Sequence, residues 1–456
     1  MPLIVSLLLV LAAGPALAGE WPRFRGPNGS GVASGSGYPI AFGPDHNRLW
    51  RAKARPGKSS PVLTATRLFL TAAEGGRLYT QCFDRKTGKL VWERNLMQPH
   101  QEIANKLNHE AAITPVTDGD NVYAFFKDFG LVAYSANGEE LWQAPLGPFV
   151  NLMGVSASPI LSGTDIVVVV DQWEGSFIAA FDRMTGEMRW KTPREEREGW
   201  ATPLLHRGRI VTTSRGRFGL HDTATGKRIG GYAPVASTIV GSPVVDGDTL
   251  SSSATGTPAS GLPSSPRSSN VRDKNGDGRL TPEEYGDDPI ANHFGKLTGN
   301  RDGVLTEDKW EIFRKSTLGF GGISALRFAD GGAEELWRHE GNFISVIPSL
   351  LAYEGVLYVV RNGGILNTYD AASGDEIGVA RLRGALGGYS ASPVAADGHI
   401  WFASEEGNMA VVRAGRDWDV EQVNEIGEAI FATPALADGV LYLRTEGSLY
   451  AFAESE

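Results

Sequence analysis

At 456 residues, with 57 glycines, 25 prolines and 11 tryptophans, the chain can hold two or three ordinary domains or one large repeat architecture, and this composition favours the repeat. A net charge of −10 with no basic block excludes a nucleic-acid binder, because phosphate binding needs clustered Lys and Arg. One cysteine, Cys82, excludes an intramolecular disulfide, so stability must come from buried area. Cys82 lies in the alternating run RLYTQCFD and reads as an inert buried thiol.

In chain order, residues 1–18 (MPLIVSLLLVLAAGPALA) form a short apolar run ending Ala16-Leu17-Ala18, the small-residue pattern of a signal-peptide cleavage site. The run is too short to span a bilayer comfortably, so the expected mature chain starts at Gly19, has no transmembrane segment and is exported to the periplasm or beyond. Residues 19–47 form an N-terminal extension. From there one unit recurs: a Ser/Thr-Pro start, β-rich runs, a glycine turn, an apolar run ending in Asp, then T-G and often Trp. The starts fall at Ser60-Pro61, Thr114-Pro115, Ser158-Pro159, Thr202-Pro203, Ser242-Pro243, Pro348, Ser392-Pro393 and Thr433-Pro434.

Those eight copies, mostly about 40 to 54 residues apart, predict an all-β, eight-bladed β-propeller of four-stranded blades. Proline suits the first residue of a strand, and D-x-x-T-G makes a tight reversal. Trp92, Trp142 and Trp190 follow such turns and are expected to pack on the neighbouring blade, supporting the fold rather than forming a site. The last copy, ending LYAFAESE, has only three strands. Arg48-Leu49-Trp50-Arg51 is the candidate fourth, and pairing it with the last blade would close the ring. The propeller is thus expected over residues 48–250 and 321–456.

Residues 251–320 break the pattern and read as a linker plus a small helical EF-hand-like insertion. SSSATGTPASGLPSSPRSSN has linker composition. DKNGDGRLTPEE then fits the calcium-loop pattern without mismatch. Asp273, Asn275 and Asp277 offer side-chain oxygens, Arg279 its carbonyl, Thr281 a water-bridged position and Glu284 a bidentate carboxylate. Calcium is the expected ion. In the second half-motif, TGNRDGVLTEDKW, Asn300, Asp302, Gly303 and Leu305 are kept, but Thr298 and Lys309 replace the acidic ends. It reads as a structural partner, with Val304-Leu305 facing Arg279-Leu280 and WEIFRKSTL as an exit helix.

The A-x-D-x-x-T-G-x-x-x-W unit resembles the tryptophan-docking repeat of quinoprotein-type propellers, the PQQ-binding-like and BamB-like group. WPRFRGPNGSGV, Trp21 to Val32, resembles the N-terminal signature of secreted bacterial members. A full repeat ring without active-site chemistry, carrying a calcium loop, reads as a noncatalytic calcium-binding scaffold, while the resemblance implies two alternatives: a dehydrogenase of alcohols or sugars dependent on PQQ and calcium, or an outer-membrane protein assembly scaffold. Relatives oxidising alcohols commonly carry a vicinal disulfide, which one cysteine cannot make, and assembly scaffolds are typically anchored through a lipidated cysteine that is missing near Gly19.

No catalytic residues are assigned. Asn108, His109 and Glu110, with Ser60 and Ser158, are the polar groups able to reach the propeller axis, and they are read as solvated or hydrogen-bonded. His46, His206, His293 and His399 lack metal-ligand spacing. The expected function is therefore a secreted noncatalytic scaffold that binds an unknown protein, glycan or small ligand at a propeller face, with PQQ a doubtful cofactor.

Overall fold

The computed structural model describes residues 19–100, 108–151, 153–215, 217–233, 240–254, 273–286, 302–311, 321–329, 331–341 and 347–454. Among them most sheets are antiparallel four-stranded units; two such units are joined by one parallel pairing, Gly231 with Gly332, into an eight-stranded sheet, and the insertion adds a two-stranded one. Blade I comprises Val62–Leu63, Arg67–Glu74, Arg77–Asp84 and Leu90–Met97. Blades II, III and IV repeat this plan through Pro145, Pro193 and Tyr232. Blades VI and VII follow from Leu351 to Arg381 and from Val394 to Glu425. The middle strands of each blade are buried along their length, for example Asp165–Val170, because neighbouring blades cover both of their faces.

Blade V is split. Its first two strands, Val244–Asp246 and Thr249–Ala254, pair with Gly322–Ala329 and Gly332–Glu340 across the insertion, in the register Ala254 opposite Gly322. The blade strand therefore runs four residues past the 250/251 boundary read from sequence. Ser251 to Ala254 are buried strand residues rather than linker, because their small side chains fit between packed blades. The rest of the serine-rich run, 255–272, lies outside the described residues.

Blade VIII combines Ala435–Ala437, Val440–Arg444 and Ser448–Phe452 with the N-terminal strand Arg48–Lys53. That strand runs antiparallel to the last one, with Arg48 opposite Phe452 and Lys53 opposite Ser448. The first and last described strands thus share one sheet, as the incomplete last copy required. Two buried arginines rivet the seam. Arg444 donates to Ser59, Thr71 and Arg55, and Arg85 reaches Tyr442, Thr64, Gly19 and Asp438.

Tryptophans join the blades as expected. Trp92 lies over Gly138 of blade II and donates to Ala136 at 2.9 Å; Trp142 lies over Gly186 of blade III and donates to Arg183 at 3.0 Å. Trp50 does the same over Gly88, and Trp337 over Gly374. Trp190 covers Gly226, its indole N–H buried without a partner. These glycines carry positive φ, between 66° and 81°, and a Cβ on any of them would enter the ring.

Candidate functional site at the propeller axis

Ser60, Thr114, Ser158, Thr202, Ser242, Ser349, Ser392 and Thr433 stand one per blade around the axis, and all are buried. Each hydroxyl oxygen after Ser60 accepts the backbone N–H of its counterpart in the preceding blade. Seven such bonds, of 2.9 to 3.1 Å, run from Ser60 to Thr433. Blade VI joins this belt through Ser349, not through Pro348. There the motif is reversed: serine follows proline, and Leu350 occupies the place where the other blades have proline. The hydroxyl, not the ring, is thus the element that all eight copies share. An oxygen that has accepted one bond keeps its own proton to donate, so the belt presents O–H donors to the axis.

Above the belt lies a cavity of about 290 Å³. Its walls are apolar (Met153, Trp200, Val240, Ile347 and Phe431), with Phe24 from the N-terminal extension below and Asn108, Lys58 and Arg215 among the polar groups. The cavity opens on the face carrying the connections from one blade's outer strand to the next blade's inner strand. The insertion leaves and rejoins blade V on this same face, between Ala254 and Gly322.

The opposite mouth is crossed by residues 21–33. Trp21 pairs with Leu63 of blade I, Thr117 of blade II donates to Pro22, Asn28 bonds Leu205 of blade IV, and Ala33 bonds Ala395 of blade VII. The channel is therefore closed at one end.

Lys58 sits 4.2 Å from the centroid of Phe431, and its pKa is lowered by burial against the opposing pull of Glu405 and Glu446. Arg215 lies over Trp200 and 3.5 Å from Glu198. Asn108 gives its amide protons to Met153 and Gly154, at 2.6 and 2.9 Å, leaving Oδ1 buried without a donor. Of the polar residues picked from sequence, Asn108, Ser60 and Ser158 line the cavity; His109 and Glu110 do not. His109 lies 3.7 Å from Glu110 and is lowered mainly by burial. Among the described residues no carboxylate or imidazole lines the cavity. Cys82 is buried between strands, its thiol pushed up to about 12 by burial.

In the insertion, Asp273 accepts the amides of Gly276 and Gly278, Asn275 that of Asp277, and Asp277 that of Arg279. Glu284 accepts from Lys274, Asn275 and Thr281, which holds its carboxyl below the usual range. Arg279-Leu280 pairs with Leu305-Thr306, and Tyr285 donates to Gly303 at 2.7 Å. In the second half-motif the Lys309 ammonium donates to the Val304 carbonyl at 2.7 Å. Thr298, Asn300 and His293 lie outside the described residues, as does the exit helix beyond Glu311. Among the described residues no three His, Cys, Asp or Glu side chains converge as a metal site. His206 stacks on Phe328 and His399 bonds Glu421, far apart in the sheets.

A family model described as the outer membrane protein assembly factor BamB matches residues 40–262. The match covers just under half of the chain and agrees with the repeated four-stranded sheets. The chain is a PQQ-like β-propeller repeat protein. No curated protein matches it. BamB from Moraxella catarrhalis superposes with a TM-score of 0.58 at 12% identity, covering 89% of this chain and 99% of that one. The quinohemoprotein alcohol dehydrogenase from Comamonas testosteroni gives 0.61 at 11%, covering 97% and 82%. A europium-containing methanol dehydrogenase gives 0.59 at 11%, covering 96% and 98%. At such identities the likeness carries the fold alone. Among the described residues of this propeller protein no helix is long and apolar enough to cross a membrane.

Two of these neighbours are dehydrogenases, which makes PQQ with a metal ion the cofactor to test against the residues present. The cavity offers hydroxyl donors, two cations and aromatic walls, which suit an acceptor-rich planar anion, but among the described residues no lining carboxylate to hold a cation beside it. That donor set does not fit a metal-bridged quinone.

Proposed function

We propose that this protein is an exported, noncatalytic binding propeller whose ligand site is the open mouth of the axial channel, with a calcium loop in the insertion. The observation that carries the reading is the lining itself: one belt hydroxyl per blade, plus Lys58 and Arg215, with no carboxylate or imidazole among the described lining residues. Such a site binds acceptor-rich, anionic groups on a partly apolar body and performs no chemistry on them. Export rests on the leader-like residues 1–18, and a protein partner is favoured by the match to an assembly-factor model.

Calcium in the loop Asp273 to Glu284 is supported by the unbroken ligand spacing and by backbone amides that already orient Asp273, Asn275 and Asp277. Extracellular loops of this kind bind in the range of about 10⁻⁴ to 10⁻³ M, which suits a constantly loaded clip.

The experiment is a titration of the purified protein with PQQ, with calcium present and then chelated, followed by dye-linked alcohol oxidation. Binding without turnover, lost on Trp200→Ala, is expected. Turnover would overturn the noncatalytic reading. In parallel, Glu284→Ala should weaken terbium or calcium binding while the propeller keeps its melting temperature; collapse of the whole fold would refute the clip.

A further inference from the structure

The closed end of the channel holds two arginines that the binding site does not use. Arg23 and Arg25 flank Phe24 in the crossing segment; the first is 7% exposed and the second is fully buried. Arg23 spends one Nη2 bond on the Pro203 carbonyl of blade IV, at 2.6 Å. Arg25 spends Nη2 on Leu350 before blade VI, at 2.6 Å, and on Ser30 at 3.2 Å. Of the remaining nitrogens, Arg23 Nε, Arg25 Nε and Arg25 Nη1 are buried without any hydrogen-bond acceptor, and so is the indole N–H of Trp21 in the same segment.

Other buried arginines are better satisfied. Arg194 is paired with Asp171 at 2.7 Å and Arg85 with Asp438 at 2.9 Å, while Arg444, which among the described residues has no carboxylate partner either and an unmade Nε, spreads its two terminal nitrogens over four oxygens. No carboxylate reaches Arg23 or Arg25 among the described residues. A buried, unpaired ion costs several kcal/mol, and each buried donor left unmade about 1–3 kcal/mol. Here two like charges stand two residues apart, and Arg23 adds to the burial that already depresses Arg25. Between them Arg23 and Arg25 make three hydrogen bonds, where Arg444 alone makes four.

We propose that Arg23 and Arg25 hold a small monatomic anion of the halide class at the floor of the channel. Close packing favours a small ion: a Cβ on Gly31 would stand 2.9 Å from Arg25 Nη2, and one on Gly29 3.4 Å from Arg23 Nη2, so the segment leaves little space beside those two atoms. The anion neutralises the pair, locks residues 21–33 across the lower mouth and leaves the upper mouth as the way in for a ligand.

The test compares wild-type protein in methanesulfonate, chloride, bromide and sulfate at equal ionic strength. Chloride and bromide should raise the melting midpoint saturably, by about 2 °C or more at concentrations far above the dissociation constant. Arg25→Met should lose that rise. Should the variant fail to fold, crystals of the wild type grown in bromide decide the matter: an anomalous peak in contact with Arg25 Nη1 or Nε is expected. A floor without such a peak, a response equal in all four salts, or one confined to sulfate overturns the proposal.

Discussion

Removing the Trp142 side chain and crowding the glycine beneath it should interact strongly, because they are two halves of one contact. Trp142 is 9% exposed, lies 6.0 Å from Tyr123 in a stacked arrangement and donates to Arg183 across the blade boundary. Trp142→Ala should cost about 3–5 kcal/mol in lost burial and cavity formation. Gly186→Ala places a Cβ 2.5 Å from Cε3 and 2.6 Å from Cδ2 of that ring, at φ +74°. Overpacking adds about 1–3 kcal/mol to a left-handed alanine's cost of about 1–2 kcal/mol. Without the indole only the backbone part remains, so the double variant should fall short of additivity by about 1–3 kcal/mol. Gly163→Ala is the control, since at φ +62° its Cβ meets nothing within 4 Å. Urea unfolding followed by circular dichroism, with m-values compared across the cycle, gives the four free energies. Additivity within about 0.5 kcal/mol would show that the glycine is not there for the ring.

The hydroxyl belt and a buried histidine yield two more expectations. Thr202→Val removes the acceptor of the buried Ser158 amide and should cost about 1–3 kcal/mol in urea unfolding, whereas Thr202→Ser should recover most of it; equal losses would mean that the hydroxyl bond is idle. His221 is held near pKa 4 by burial and by the Arg194 guanidinium, and its Nε2 accepts from Arg194 while Nδ1 donates to Gly226. Its unfolded pKa is about 6.5. As pH falls from 6.5 towards 4 the unfolded chain takes up a proton that the folded one refuses, so stability should drop by about 3 kcal/mol across that window. In His221→Gln that share of the acid slope should vanish; an unchanged slope would assign it elsewhere.

The propeller was legible because its signals are local. The D-x-x-T-G turn, the following tryptophan and the three-stranded last copy all sit within one blade's length of sequence. The belt was half legible. Every copy shows Ser or Thr at its start, but the acceptor's partner lies 40 to 107 residues away, and anchoring on proline put blade VI one residue out of place. What Trp21 to Val32 does was not legible at all. As a string it is a signature; its function comes from Arg23 meeting Pro203 and Arg25 meeting Leu350, partners 180 and 325 residues on. The candidate site was similarly hidden, since Trp200, Arg215 and Phe431 converge only when the ring closes. His109 and Glu110, adjacent in sequence to Asn108, are not among the residues that line the cavity with it.

The interfaces that lack a tryptophan test whether ring and glycine form one device. Blade IV ends in Arg228–Tyr232 without tryptophan, and blade V, its neighbour, has no T-G turn between its last two strands. There the backbones meet directly: Gly231 pairs with Gly332, and a Cβ on Gly332 would stand 2.7 Å from the Gly231 carbonyl. Blade VI ends in Glu376–Arg381, also without tryptophan, and blade VII turns through Gly415 to Trp418, whose indole reaches back to Thr368 at 3.0 Å. Blade VII in turn lacks an outer tryptophan, and the extension covers the seam with blade VIII through Tyr38 and Pro39, the latter accepting from Trp401. Wherever the ring is absent its glycine seat is absent too, and a different bridge takes over. This is expected if a tryptophan without its seat would be a large exposed apolar group, and a seat without its ring a cavity between blades. The insertion sits in blade V, beside the backbone bridge. Its entry and exit strands are adjacent, so it adds chain to blade V without disturbing the seat of Trp337 on Gly374 in the next blade.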